Sequence, residues 1–331
     1  MKKDIKIYSL GCRLNALEAE KIRRMLISGG IKRAAIVNTC AVTSEALRQS
    51  RQQFHKIVRE NPDAPVFITG CGATLKPEDF AGQNARVISN KDKFNPNAYG
   101  VETRDTKYEI RNFEKMKKKG FVQIGDGCDR RCTYCVTRTL RGPALHFPYE
   151  QIRIAARALL ENGYEEIILT GVNIADWTDE RGGLADLCRR LLYDFPEMKA
   201  LTLSSLDPAA DVEGLIDLMR TGPRMTRHLH LSVQSGCDWI LGRMGRRHNA
   251  ARIREIARYA NGDATFSWDI ICGFPGEAEE RFAETLDLAK ELCPTKIHAF
   301  PFSARPGTAA AEMLDKVTRA AAKERVRKLC L

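Results

Sequence analysis

Three cysteines stand in the run Gly127-Cys128-Asp129-Arg130-Arg131-Cys132-Thr133-Tyr134-Cys135. A C-x3-C-x2-C spacing supplies thiolates to three irons of a cubic 4Fe–4S cluster and leaves the fourth iron without a protein ligand. An open iron is what a radical enzyme needs to chelate S-adenosylmethionine (SAM) and split it by one-electron reduction. Structural zinc is the competing reading. It wants four ligands, usually in two pairs, and neither a second C-x2-C nor a nearby histidine pair accompanies the run. A chance grouping of three buried thiols in one loop is the blander alternative.

The rest of the composition bounds the setting of that chemistry. The chain has 331 residues, enough for two domains with separate cores. Its start, Met1-Lys2-Lys3 followed by Leu10-Gly11-Cys12, imitates a lipoprotein signal, but Asp4 and Lys6 interrupt the apolar stretch and exclude that reading. No run is long enough to span a membrane. Eleven cysteines imply thiolate ligands in a reducing cytoplasm rather than disulfides. The net charge of +11 implies a polyanionic partner. The basic residues group at Lys115 and Lys117–Lys119, at Arg130-Arg131, at Arg243 with Arg246-Arg247-His248, and from Arg319 to Lys328. A basic rim around a redox site suits an anionic substrate.

Alternating patterns predict strands at 5–9, 34–38 and 66–69, with helices at 16–28 and 44–60 and a further helical stretch opening at Pro77. That order predicts a doubly wound α/β domain, whose ligands sit beyond the carboxyl ends of its strands. Cys12, Cys40 and Cys71 fall at those ends, each beside a glycine or a short polar turn. Three thiols at equivalent strand ends form a second three-thiolate site. Cys188, Cys237, Cys272, Cys293 and Cys330 follow no such pattern and read as packed or surface thiols, with Cys330 exposed.

Residues 96–118 are polar and lysine-rich and read as a linker. Beyond them, strands near 121–124, 166–170, 200–204, 229–233, 267–272 and 296–300 alternate with helical patterns. Six repeats predict an open (β/α)6 partial barrel, with its chemistry on the loops at the carboxyl ends of the strands. The cysteine loop follows the first of these strands. Gly171 and Asn173 follow the second, and Gln234 follows the fourth.

With these residues in place, the chain resembles the radical SAM methylthiotransferases from its first strand to at least Gly307. Gly11-Cys12-Arg13-Leu14-Asn15 and Val37-Asn38-Thr39-Cys40-Ala41-Val42-Thr43 are similar to the branch acting on threonylcarbamoyladenosine beside the tRNA anticodon. Leu169-Thr170-Gly171-Val172-Asn173, His230-Leu231-Ser232-Val233-Gln234-Ser235-Gly236 and Gly273-Phe274-Pro275 are similar to further family blocks. The resemblance implies a tRNA-modifying transferase with two 4Fe–4S clusters and SAM. Cys128, Cys132 and Cys135 would hold the SAM-binding cluster, and Cys12, Cys40 and Cys71 an auxiliary cluster that delivers sulfur. A 5′-deoxyadenosyl radical would remove hydrogen from carbon 2 of the adenine, where a methylthio group replaces it. Thr170, Gly171, Asn173 and Gln234 would contact SAM. The implied partners are tRNA and an electron donor such as flavodoxin or ferredoxin, with no membrane.

The expected layout is an N-terminal domain over residues 1–95, the linker, and a radical SAM core over 119–331. The family's C-terminal RNA-binding β-barrel is expected to be absent. Ser28-Gly29-Gly30-Ile31-Lys32 is shorter than the usual segment there. After Cys135 the run Val136-Thr137-Arg138-Thr139-Leu140 replaces an Ile-Pro-Tyr-like sequence; the lost proline is expected to alter the cluster loop, while Arg141-Gly142 keeps the family's exit from it.

Overall fold

The computed structural model describes residues 4–101 and 119–329. The chain divides into two compact units. The first holds the N-terminal hundred residues together with Val136–Gly142, and the second holds the cysteine loop to Cys135 and everything from Pro143 onward. The lysine run at 115–118 and Cys330 lie outside the described residues, as does most of the expected linker; its beginning forms a short 3-10 turn, Pro96–Tyr99.

The first unit is built on β1 (Asp4–Ser9), α1 (Arg13–Ser28), β2 (Arg33–Thr39), α2 (Ser44–Glu60), β3 (Val66–Gly70), α3 (Cys71–Leu75), β4 (Ala85–Val87) and, from the returning segment, α4 (Thr137–Arg141). β2 and β3 are apolar on both faces because both faces are covered. Ala34, Ile36 and Phe67 meet Ala19, Ile22 and Leu26 of α1 on one side. Ala35, Val37, Val66 and Ile68 meet Leu47, Phe54 and Ile57 of α2 on the other. α2 starts where its sequence says it should, with the Thr43 hydroxyl accepting from the Ala46 amide at 3.0 Å. The α/β layering with helices on both faces is as expected. The strands, however, run in chain order, β1-β2-β3-β4, all parallel, so the sheet lacks the reversal of order that makes a switch-point crevice. The cysteines converge because three adjacent parallel strands end at one edge.

The second unit contains β5 (Lys119–Gln123), α5 (Tyr149–Glu161), β6 (Glu166–Thr170), α6 (Leu184–Asp194), β7 (Ala200–Leu203), α7 (Glu213–Thr221), β8 (His228–Gln234), α8 (Asp238–Met244), α9 (Ala250–Ala260), β9 (Thr265–Cys272), α10 (Glu279–Leu292), β10 (Lys296–Pro301), α11 (Ala309–Glu312) and α12 (Arg319–Leu329). β5-β6-β7 and β8-β9-β10 are parallel triplets, joined by single bridges Leu201–Met225 and Leu206–Leu231. Among the described residues β5 and β10 pair on one side only, so the six-stranded barrel is open. Alternate strand residues such as Leu169, Leu201, Leu231 and Ile270 pack with Ile152, Leu191, Ile216 and Ile253 of the helical layer. The residues between them on β8 and β9 are His228, His230, Ser267 and Asp269. They bond to one another across the strands, with His230 Nε2 2.8 Å from Asp269 Oδ2. No helix among the described residues is long and apolar enough to cross a membrane.

Phe54 is 1% exposed and stacks edge-on against Phe80, their ring centroids 5.5 Å apart. Phe54→Ala is expected to destabilise the first unit by about 3–5 kcal/mol, the usual cost of emptying an aromatic site in a core, read from urea unfolding.

Candidate functional site

Cys40 and Cys71 follow β2 and β3 directly, Cys12 follows β1 after Leu10 and Gly11, and the three thiols are near enough in the first unit to interact. Gly11, at φ 91°, is required here: a Cβ would lie 2.6 Å from both Cβ and Sγ of Cys40. Asn15 locks the loops. Its amide nitrogen donates to Leu10 O at 2.8 Å and to Thr39 O at 3.1 Å, joining the residues that lead into Cys12 and Cys40. Thr39 Oγ1 donates to Thr69 O at 2.6 Å and accepts from Ala73 N at 2.8 Å, fixing the turn that carries Cys71. Asn90 Nδ2 approaches Cys71 Sγ at 3.6 Å. Behind these residues lies a buried ion network: the Glu18 carboxylate takes Lys93 Nζ at 2.6 Å and Arg141 Nη1 at 2.7 Å, with all three side chains at most 3% exposed.

In the second unit the loop that follows β5 carries Cys128, Cys132 and Cys135, and its backbone is pinned from outside. Thr133 N donates to Met244 O at 3.0 Å, Thr133 Oγ1 to Arg243 O at 2.8 Å, and Ala310 N to Thr133 O at 2.9 Å. Cys128 Sγ accepts from Arg130 N at 3.4 Å, and Cys132 Sγ from Arg246 Nη1 at 3.6 Å. Arg130 forks onto Asp176 at 2.9 and 2.6 Å. Asp207 lies beneath, 3.3 Å from Arg246, 3.8 Å from Arg130 and 3.8 Å from His248. Burial pushes its carboxyl up, but His248, Arg246, the Ala209 amide and Arg130 outweigh that and hold it below the usual range. The basic rim seen in the sequence is therefore partly internal scaffolding. Arg131 and Arg247 are exposed, while Arg130 and Arg246 are committed to the loop and its carboxylates.

Of the remaining candidates, Thr170 ends β6 buried, with its carbonyl taking the Ile124 amide at 2.9 Å. Gly171 has no room for a side chain, since a Cβ would meet Gly125 O at 3.0 Å. Asn173 Nδ2 donates to Asp176 Oδ2 at 2.7 Å and so shares a carboxylate with Arg130 of the cysteine loop. Gln234 sits at φ 70° beside a register shift in β8, a backbone state uncommon for its type and concentrated at functional sites. Gln234 thus ends a strand of the second triplet, whereas Thr170, Gly171 and Asn173 lie at and just after the end of β6 in the first. Cys188, Cys237 and Cys272 are buried and Cys293 is exposed. Sequence reasoning missed Asn15, Glu18, Asn90, Lys93, Arg141, Asp176 and Asp207. The one local signal was the placement of an uncommon buried acid, Glu18, on the apolar face of α1.

Both trios fit cubic clusters in their donor chemistry. None of the six is part of a disulfide. Burial pushes Cys12 and Cys128 up and Cys40 up to about 11, so these sulfurs are poor thiolates by themselves and inert without a cation to draw the proton off. Among the described residues no three His, Cys, Asp or Glu side chains are gathered as the ligands of a single ion. A cubic cluster interposes its own irons and sulfides between the thiolates and needs no such close grouping. The N–H groups of Arg130, Arg246 and Asn90 that approach these sulfurs would, with clusters bound, be the kind of outer contact that sets cluster potentials.

Residues 122–289 match the radical SAM superfamily, and residues 4–89 match a family described as uncharacterized protein family UPF0004. A threonylcarbamoyladenosine tRNA methylthiotransferase of Rickettsia prowazekii is 35% identical over 93% of this chain and 77% of its own length. The chain belongs to the radical SAM methylthiotransferases. A like-named protein of Thermotoga maritima is 31% identical over 98% of this chain and 80% of its own length. A tRNA-2-methylthio-N(6)-dimethylallyladenosine synthase of Erythrobacter litoralis is 31% identical over 99% and 81%. Among solved structures, the radical SAM methyltransferase TsrM of Kitasatospora setae superposes with a TM-score of 0.67 at 15% identity, over 94% of this chain and 77% of that one, which shows a shared fold. Methylthiotransferases of this family are enzymes whose cofactors are SAM and 4Fe–4S clusters, two per chain.

Asp207→Asn removes the anion between Arg130, Arg246 and His248. It is expected to cost about 3–5 kcal/mol at pH 7, as breaking a buried pair does. The folded carboxyl titrates below the unfolded value near 3.9, so its stabilisation is full above that pH and is lost as pH falls towards the folded value. Urea unfolding of both proteins at pH 7 and pH 3 should show the gap narrowing in acid.

Proposed function

We propose that this enzyme methylthiolates carbon 2 of N6-threonylcarbamoyladenosine next to the anticodon of tRNA. Cys128, Cys132 and Cys135 would hold the SAM-binding cluster, and Cys12, Cys40 and Cys71 the auxiliary one. The observation that carries the reading is the pair of three-thiol sites, each pinned by its own hydrogen-bond frame and each with an N–H donor on a ligand sulfur. The threonylcarbamoyl substrate is favoured by the similarity to the Rickettsia and Thermotoga proteins and by the Arg13-Leu14 pair after Cys12.

When bound, the clusters and SAM supply one-electron cleavage of a carbon–sulfur bond and a transferable sulfur. An aromatic C–H has no acidity that a side-chain base could use, so radical chemistry is the route open to it. The protein's own part is positional. The Thr133 contacts and the Asp207–Arg246 pair hold the SAM-cluster loop, and Gly171 lets the loop after β6 come close to Gly125, at the start of the cysteine loop. Thr170, Gly171, Asn173 and Gln234 would line the SAM site from the same strand ends. The base itself must leave its stack, as single-stranded anticodon loops permit. A small redox protein such as flavodoxin or ferredoxin would supply the electron in the cytoplasm.

Two substitutions separate the roles. Cys128→Ala is expected to abolish 5′-deoxyadenosine formation, and Cys12→Ala to keep it while yielding no methylthio nucleoside. Both are read by chromatography of reaction products. Nucleoside mass spectrometry of tRNA from a host lacking its own enzyme, with this chain expressed, should give methylthio-threonylcarbamoyladenosine. A methylthio product on isopentenyladenosine alone would assign the chain to the other branch.

A further inference from the structure

The helix that follows the SAM-cluster loop belongs to the other unit. Cys135 is followed directly by Val136, and from there to Gly142 the chain is packed into the first unit. Within that unit, α4 reaches the surroundings of all three cysteines. Val136 and Leu140 pack with Ala41, next to Cys40, and with Cys71 and Leu75. Leu140 O accepts from Asn90 Nδ2 at 3.2 Å, the same nitrogen that lies 3.6 Å from Cys71 Sγ. Arg141 Nη2 donates to Asn15 Oδ1 at 3.1 Å, while its fork holds Glu18 at 2.7 and 3.2 Å.

The Asn15 contact is the decisive one. Asn15 clamps Leu10 and Thr39 only if its nitrogen faces their carbonyls, and a carboxamide can turn over. Arg141, a donor that offers only N–H groups, accepts no reversed Asn15: it demands the oxygen on its side. The guanidinium therefore fixes the orientation of the amide that holds the Cys12 and Cys40 loops together.

The geometry points to Arg141 as a positioning residue for the three-cysteine site of the first unit, so that this site is complete only when the helix following Cys135 is docked. The inference rests on the assignment of Cys12, Cys40 and Cys71 as cluster ligands. The interaction is specific to a fork. Lysine at 141 could keep the charge on Glu18, yet it could not hold Glu18 and Asn15 together with the planar geometry of arginine.

The test uses the 331-residue chain with Cys128, Cys132 and Cys135 all replaced by alanine, so that only the first unit can load a cluster. After anaerobic reconstitution, that parent should carry about four irons with the absorption and, once reduced, the paramagnetic spectrum of a 4Fe–4S centre. A parent without a cluster would overturn the ligand assignment itself. Given a loaded parent, Arg141→Gln is expected to lose at least half of the iron. Arg141→Lys, the milder change, is expected to load but to release iron to a chelator at least fivefold faster, with an altered spectrum of the reduced centre. Thermal unfolding of each apo chain shows whether it is folded. Should the lysine variant match its parent in iron content, release rate and spectrum, Arg141 has no positioning role.

Discussion

Glu18 is a carboxylate with no exposed surface in a helix whose other inward residues are mostly apolar, and much of the first unit's chemistry is arranged around it. Burying one charge without partners costs several kcal/mol or more. The chain meets that cost with Lys93, whose backbone carbonyl is held in turn by Tyr99 Oη at 2.7 Å, and with Arg141. Asn38 Nδ2 adds a longer contact to Glu18 at 3.4 Å while bonding Asn15 O at 2.8 Å. The same acid that anchors these groups thus sets the frame in which Asn15 stands, and Asn15 sets the approach of two cysteine loops.

The second unit solves the equivalent problem in the same way. There too a buried anion, Asp207, lies among cations, and the cysteine loop is gripped in addition by backbone hydrogen bonds to α8 and to the start of α11. Rigid strand ends fix where each loop begins, and these polar contacts fix where it goes.

Much of this was legible in the sequence, for identifiable reasons. Strand and helix positions followed from uninterrupted apolar runs and 3.6-residue periodicity, and α2 begins and ends at the predicted residues, 44 and 60. The six cysteines stood out because their spacing, or their place at strand ends, is itself the signal. Strand order was not legible. Nothing in a βαβ pattern distinguishes a sheet that reverses its order from one that adds strands in sequence. The polar frames were hidden for a different reason. Glu18 and Arg141 lie 123 positions apart, and each alone looks like an ordinary surface charge. Likewise Arg130 and Arg246 contributed to a basic surface when counted as composition, yet their guanidinium groups are spent inside the protein.

The assignment of Val136–Gly142 to the first unit has a consequence for how this protein came to be and how it can be divided. A polypeptide whose two bodies are joined by one crossing can be shuffled as cassettes, because either part can be cut away at the joint. Here the strand of chain passes into the second body, back to the first, and out again. A fragment ending at residue 101 would lose Leu140 from beside Ala41 and would leave Glu18 without its arginine. The two bodies are thus interlaced in sequence, and inheritance of one without the other would require the invention of a substitute for a single short helix.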